Sequence, residues 1–252
     1  MNNLKIVFFG SSQFSTYVLD ELKEAGYSPI LNITNAREDI DVEKLRKLEA
    51  DIFVVASFGK ILSREIIELP KNKTLNIHPS LLPISRGPAP IQDTILQDHP
   101  RGVTIIRMDE KMDHGPIISQ KDVDIRPWPD HYDTVEKKLG HAGGKLLVEI
   151  LPLWVKGKIE EKPQEGEVTY TKLIKKEDGL IDLKDPAEKN WRKVLAYSTW
   201  PCAYFFFERK QGDKKRVVVK EAKIVDGVFT PVRVIPEGKK EMSWEDFLKG
   251  NA

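Results

Sequence analysis

The chain has 252 residues, of which 40% are hydrophobic and 31% charged, with a net charge of +1 and one cysteine, Cys202. That length calls for either one large α/β domain or a larger domain with a small one attached, and the second is favoured. No apolar run approaches the roughly 18 residues a membrane span needs, and one cysteine excludes an internal disulfide and a cysteine metal cluster, leaving Cys202 to be read as a small buried apolar residue.

The opening Met1-Asn2-Asn3-Leu4-Lys5 lacks the layout of a signal peptide, so a cytoplasmic location is expected. Leu4 to Phe9 is a nearly continuous apolar run ending at Gly10, which predicts a strand buried on both faces. Ser11 or Ser12 can cap a following helix in which Phe14, Tyr17, Val18 and Leu22 recur at helical spacing until Gly26. Pro29 to Ile33 and Ile52 to Ala56 read as further strands, with a helix at Asp41 to Ala50 between them. Three strands alternating with two helices predict an α/β fold, a doubly wound and mostly parallel sheet.

The sheet continues with strands at Thr74 to His78 and Val103 to Met108, a helix at Pro90 to Gln97, and an antiparallel or edge strand at Pro116 to Ile125. Tyr132 to Trp154 has helical periodicity, with an interruption predicted at Gly143-Gly144. The expected division is a catalytic domain at 1–157, a linker at 158–167 rich in charge, Pro and Gly, and a C-terminal domain at 168–252. In that last part a helix at Pro186 to Tyr197 precedes short strands at Ala203 to Glu208, Arg216 to Lys220, Ala222 to Val225 and Val228 to Ile235, separated by Gly-Asp, Asp-Gly and Pro turns. This is the texture of a small, abbreviated β-barrel of the OB type. Residues 168–252 carry 18 Lys and Arg against 13 Asp and Glu, net +5, while residues 1–167 are net −4. The basic part suits a polyanion.

Asn76 and His78 are two residues apart at the end of a strand that leaves at Pro79, so they share a face where open α/β sheets bind ligands. A turn through Asp109 and Asp113 to Gly115 follows the next strand and can bring a carboxylate to the same crevice. An amide, an imidazole and a carboxylate suit acyl transfer to an amine, as oxyanion donor, proton carrier and orienting group.

Asn76-Ile77-His78-Pro79-Ser80-Leu81-Leu82-Pro83, Arg86-Gly87-Pro88-Ala89-Pro90-Ile91-Gln92 and the run from Gly102 through Met108-Asp109-Glu110 to Asp113-His114-Gly115 resemble the formyltransferase superfamily that uses 10-formyltetrahydrofolate. The Arg86 to Gln92 element, the opening Phe8 to Phe14, and the later Tyr170 to Ile174, Glu177 to Asp182, Trp200 to Tyr204, Pro236 to Lys240, Met242-Ser243 and Asp246 to Leu248 are similar to its methionyl-tRNA branch. The resemblance implies Asn76, His78 and Asp113 as the catalytic trio and initiator methionyl-tRNA as acceptor of the formyl group. It also implies a folate site built from Phe58, Gly59, Lys60, Ile61 and Leu62, mostly through backbone, with Ser80, Leu81, Leu82, Pro83, Asp109 and Gly115. Gly10, Ser11, Gln13, Phe14 and Arg86 are implied as substrate contacts, Arg86 meeting a phosphate or carboxylate. No metal and a monomeric state are expected. The chain departs from the branch after the second strand, where Asn35 to Glu49 replace a basic loop and a further βα unit, and it has a shortened C-terminal domain. Sugar-nucleotide N-formyltransferases, which share the trio, are the alternative; a formate-releasing hydrolase and a non-catalytic folate- or RNA-binding module stand behind them.

Overall fold

The computed structural model describes residues 4–208, 212 and 214–250. Met1 to Asn3, and Asp213 of the Gly212-Asp213 turn, lie outside them. The chain divides into two compact units, one of Met1–Thr94, His99–Ile125 and Val135–Lys172, the other of Ile95–Asp98, Arg126–Thr134 and Leu173–Ala252.

The first unit is built on six strands, β1 (Ile6–Phe9), β2 (Leu31–Ile33), β3 (Ile52–Val55), β4 (Thr74–His78), β5 (Gly102–Arg107) and β6 (Ile117–Asp122), in the order β2-β1-β3-β4-β5-β6. The first four pair in parallel, β5 pairs antiparallel with β4, and β6 pairs antiparallel with β5. Every residue of β1, β3 and β4 is buried, which is why their sequences run apolar without alternation. On one face Val7, Phe9, Phe53 and Val55 pack with Leu45, Phe58, Leu62, Ile66 and Ile67. The Phe9 ring meets those of Phe53 and Phe58 at 5.4 Å each.

Helix α1 (Gln13–Glu24) is capped by Ser12 in a reciprocal arrangement with Ser15. Short helices α2 (Val42–Lys47), with Asp41 as its cap, and α3 (Arg64–Ile67) flank β3. Helix α4 (Pro90–Gln97) stands between β4 and β5 in the chain. The longest helix, α5 (Tyr132–Val155), is continuous through Gly143-Gly144, against the interruption read from the sequence. Close packing explains the glycines: a Cβ at Gly143 would stand 2.7 Å from Ile77 Cγ2 on β4, and one at Gly144 would stand 2.7 Å from Glu21 Cβ on α1. The helix thus backs the strand that carries Asn76 and His78. Within the Asn35 to Glu49 replacement after β2, the chain turns on Asn35 and places Ala36 and Ile40 on the β1-β3 core.

In the second unit α6 (Ala187–Ala196) packs on a four-stranded antiparallel sheet of β7 (Tyr204–Glu208), β8 (Lys214–Val225), β9 (Val228–Pro236) and β10 (Met242–Ser243), ordered β10-β9-β8-β7. It is the small, abbreviated β-domain that the sequence predicts. Arg216 to Lys220 and Ala222 to Val225 are one strand rather than two, with the register shifting around Glu221 so that pairing to β9 continues past the irregularity. Helix α7 (Trp244–Lys249) buries Phe247 with Phe205, Val217 and Val234. Cys202 is only half-buried, at a turn with φ 65°, its Sγ 3.3 Å from the Thr199 carbonyl. No helix among the described residues is long and apolar enough to cross a membrane.

Removing Phe9, which joins the sheet to the loop carrying Phe58, tests this core. Phe9→Ala should cost about 3–5 kcal/mol by loss of buried area and an unfilled cavity. Urea unfolding with an unchanged midpoint would show that Phe9 is not integral to it.

Candidate active site

Strand β4 pairs in parallel with β3, Val55 opposite Asn76, and antiparallel with β5, Ile106 opposite Asn76 and Thr104 opposite His78. The two-residue period puts Asn76 and His78 on one face at the strand's carboxyl end. Asn76 is 9% and His78 4% exposed. The loop after β5 returns Asp113 to them: Asn76 Nδ2 donates to Asp113 Oδ1 at 3.2 Å, and His78 Nδ1 lies 3.6 Å from the same oxygen. Asp113 Oδ2 accepts from the Gly87 backbone N–H at 2.8 Å.

On its other side, His78 Nε2 is 3.0 Å from the carbonyl oxygen of Ser85. A carbonyl can only accept, so Nε2 carries the proton and the neutral ring presents Nδ1 as its basic nitrogen toward Asp113. Ser85 is fully buried with φ 61°; its Oγ donates to Asp93 Oδ2 at 2.6 Å and its N–H to Thr169 Oγ1 at 2.7 Å. These bonds aim the carbonyl at the imidazole. Gly87 has φ 113°, and a Cβ there would stand 2.7 Å from Thr171 Oγ1 and 2.9 Å from the Thr171 carbonyl, so glycine lets its N–H reach the carboxylate.

The residues implied as a folate site fall into three loops, those after β3, β4 and β5. In the first, Phe58 and Leu62 are buried in the core, Gly59 is exposed with φ 73°, and Ile61 is 78% exposed. Lys60 Nζ donates to the Glu38 carbonyl at 2.7 Å, so that side chain holds the short segment after β2. In the second, Ser80 Oγ donates to the Ile84 carbonyl at 2.6 Å, and Thr104 Oγ1 links the Ser80 carbonyl to the Leu82 N–H. Gln120 Nε2 donates to the Leu82 carbonyl, and Pro83 accepts from Thr169 N–H. Leu81 is half-buried and reaches the backbone of Gly102. Asp109 accepts from Lys111 N–H and faces His114 Nδ1 at 2.7 Å; Gly115 is buried, and a Cβ there would meet the Arg107 carbonyl at 1.8 Å.

Of the substrate contacts implied from sequence, Gly10 ends β1 with its N–H on the Ile33 carbonyl, and Ser11 Oγ donates to the Phe58 carbonyl at 2.7 Å. Gln13 is exposed at the start of α1. Phe14 is instead a core side chain, 1% exposed and 3.8 Å from the Cβ position of Gly143, because helical spacing turns it inward. Arg86 is also put to a different use: it is 5% exposed, with Nε and Nη2 donating to Gln164 Oε1 at 3.0 and 2.8 Å and Nη1 to the Tyr170 hydroxyl at 3.2 Å. A buried guanidinium needs such partners.

Sequence reasoning passed over Ser85, Thr104, Gln120, Gln164 and Thr169. Nothing local marks them, since each acts through a partner 7 to 84 residues away. Gly87 could have been found from the Arg-Gly-Pro run. No group of three or more His, Cys, Asp or Glu among the described residues is placed to hold a metal ion.

Residues 28–151 match the formyl transferase family model and residues 173–231 the model of the formyl transferase C-terminal domain. The chain is 37% identical to methionyl-tRNA formyltransferase of Chloroflexus aggregans, over 92% of this chain and 85% of that one. The solved methionyl-tRNA formyltransferase from Clostridium thermocellum superposes with a TM-score of 0.70 at 17% identity, covering 95% of this chain and 99% of the other. HypX from Aquifex aeolicus, in complex with tetrahydrofolic acid, shares the fold with a TM-score of 0.76 at 18% identity over 98% of this chain and 47% of that one.

The tautomer deduced for His78 is open to direct observation. Nitrogen-15 spectra of the neutral ring should show Nε2 protonated and Nδ1 bare; the reverse pattern would remove the Ser85 carbonyl as the group that orients the imidazole.

Proposed function

Taking as premise that this chain belongs to the methionyl-tRNA formyltransferase family, we propose that Asn76, His78 and Asp113 transfer the formyl group of 10-formyltetrahydrofolate to the α-amine of methionine on initiator tRNA. The observation that carries this reading is the joint hold on Asp113, by Asn76 on one oxygen and Gly87 on the other, beside the basic nitrogen of His78.

The donor supplies a formyl carbon activated for attack by an amine. In support of a folate here, the loop after β3 offers exposed backbone at Gly59 with the apolar Ile61 side chain exposed alongside, and a flat heterocycle with donors and acceptors on its edge calls for both. Gly10, Ser11 and Gln13 form the neighbouring rim at the start of α1, where the acceptor is assigned.

An amide nitrogen carries two hydrogens. Asn76 commits one to Asp113 and turns the other to the negative charge that develops on the formyl oxygen as the amine attacks. His78 takes the proton lost by the amine at Nδ1, while its Nε2–H stays on Ser85. Asp113 stabilises the resulting imidazolium and relays the proton to the departing N10. Asn76 and His78 are buried and Asp113 is largely so, which lowers the local dielectric, so each of these interactions counts for more than it would in water. His78→Ala should lower turnover by roughly 10²-fold or more; a variant with native turnover would remove His78 from the proton path.

The acceptor rests on family membership and on charge. The net +5 of residues 168–252 suits sequence-independent contact with tRNA phosphates. Incubation with 10-formyltetrahydrofolate and charged initiator tRNA should yield N-formylmethionine, with a tRNA KM that rises steeply with salt while the folate KM stays level. Formylation of an amino sugar but not of methionine, or formate release without an acceptor, would overturn the assignment.

A further inference from the structure

Asp113 has φ 51°, a left-handed conformation that a residue with a Cβ adopts only under restraint. Its carboxylate is held by Asn76 and Gly87, but those bonds fix the side chain and leave the backbone that aims it unexplained. The restraint on the backbone comes from residue 164, in the stretch between α5 and the second unit. Gln164 Nε2 donates to the carbonyl oxygen of Asp113 at 2.9 Å and to that of Gly115 at 2.8 Å, spending both hydrogens of one amide on the turn.

The other end of the same amide is bound to a cation. Gln164 Oε1 accepts twice from Arg86, at 3.0 and 2.8 Å. A charged donor on the amide oxygen polarises the group and strengthens donation from its nitrogen. Arg86 is the residue before Gly87, so the chain that grips the amide also delivers the N–H that grips the carboxylate. The stretch around Gln164 is itself pinned. Glu161 takes two hydrogen bonds from Arg107, at 2.7 and 2.9 Å, and holds that guanidinium above its ordinary pKa against the effect of burial. Lys162 pairs with Ile117 on β6, and Thr169 to Thr171 pair with Pro83 and Arg86.

We infer that Gln164 is the positioning residue of the active site: by tying the Asp113 and Gly115 carbonyls to the buried Arg86, it sets the carboxylate against His78 Nδ1. This rests on the reading of Asp113 as a member of the reacting set. The role requires an amide, since the oxygen must accept from Arg86 while the nitrogen donates to two carbonyls.

Gln164→Glu tests the assignment. It keeps an acceptor for Arg86 and deletes both donations to the turn. Turnover should fall by on the order of 10-fold to 10²-fold, with the folate KM within about threefold of native, the signature of an interaction used in the transition state. In an Asp113→Asn background the same change should add little, because it acts through a carboxylate already removed. Native turnover in Gln164→Glu, or a loss repeated in full in the double variant, would overturn the inference. If Asp113→Asn alone retained native turnover, the assignment of Asp113 would fail instead, so the two failures are distinguishable. Should Gln164→Glu not fold, Gln164→Asn, which retracts the amide by one methylene, is read in the same way.

Discussion

A carboxylate taken largely out of water must find hydrogen-bond donors, and the crevice of this protein is arranged around meeting that demand for Asp113. Its side chain is 12% exposed. One oxygen takes an amide N–H from β4 and the other a backbone N–H from Gly87, and each donor constrains the chain that supplies it. Asn76 must stand at the end of a buried strand, and Gly87 must hold a positive φ under Thr171. The loop after β5 must return against the direction of its strand to present the carboxylate at all. With those conditions met, the imidazole of His78 lies between an acceptor that fixes its tautomer and a carboxylate oxygen 3.6 Å from Nδ1.

The rigid side of this arrangement is the sheet. Strand β4 is buried along its whole length and is backed by α5, which approaches closely because Gly143 has no side chain to hold it off Ile77. Asn76 and His78 therefore have little freedom to move apart. The adaptable side is the set of turns at residues 80–87 and 109–115. These are fixed by Thr104, Gln120, Gln164 and Thr169, so that polar side chains do for the loops what apolar packing does for the strands.

Two residues show how burial redirects chemistry. Arg86, in a run that invites reading as an anion contact, is enclosed and directed inward to Gln164 and Tyr170. Phe14, adjacent to the crevice in the chain, faces α5 because a helix rotates by about 100° per residue and its neighbour Gln13 takes the outward position. The short segment after β2 likewise closes on the core and on Lys60 rather than reaching outward as a long loop.

Much of the framework was legible in the chain because it rests on short-range periodicity. The apolar runs at Leu4 to Phe9 and Ile52 to Ala56 declared strands covered on both faces, and helical spacing marked α1 and α5. The two-residue interval of Asn76 and His78 placed them together once their strand was recognised. What no window of sequence could decide were the meetings of distant segments: Asn76 with Asp113 across 37 residues, Gln164 with Asp113 across 51, Arg86 with Gln164 across 78. Gly143-Gly144 read locally as a break in a helix, and only the proximity of Ile77 and Glu21 turns the same residues into the means of close packing. The one-dimensional pattern reports which face of an element seeks burial. Which polar groups then satisfy one another is settled by the folded chain, since an unmet donor or acceptor costs free energy only where the tertiary structure has excluded water.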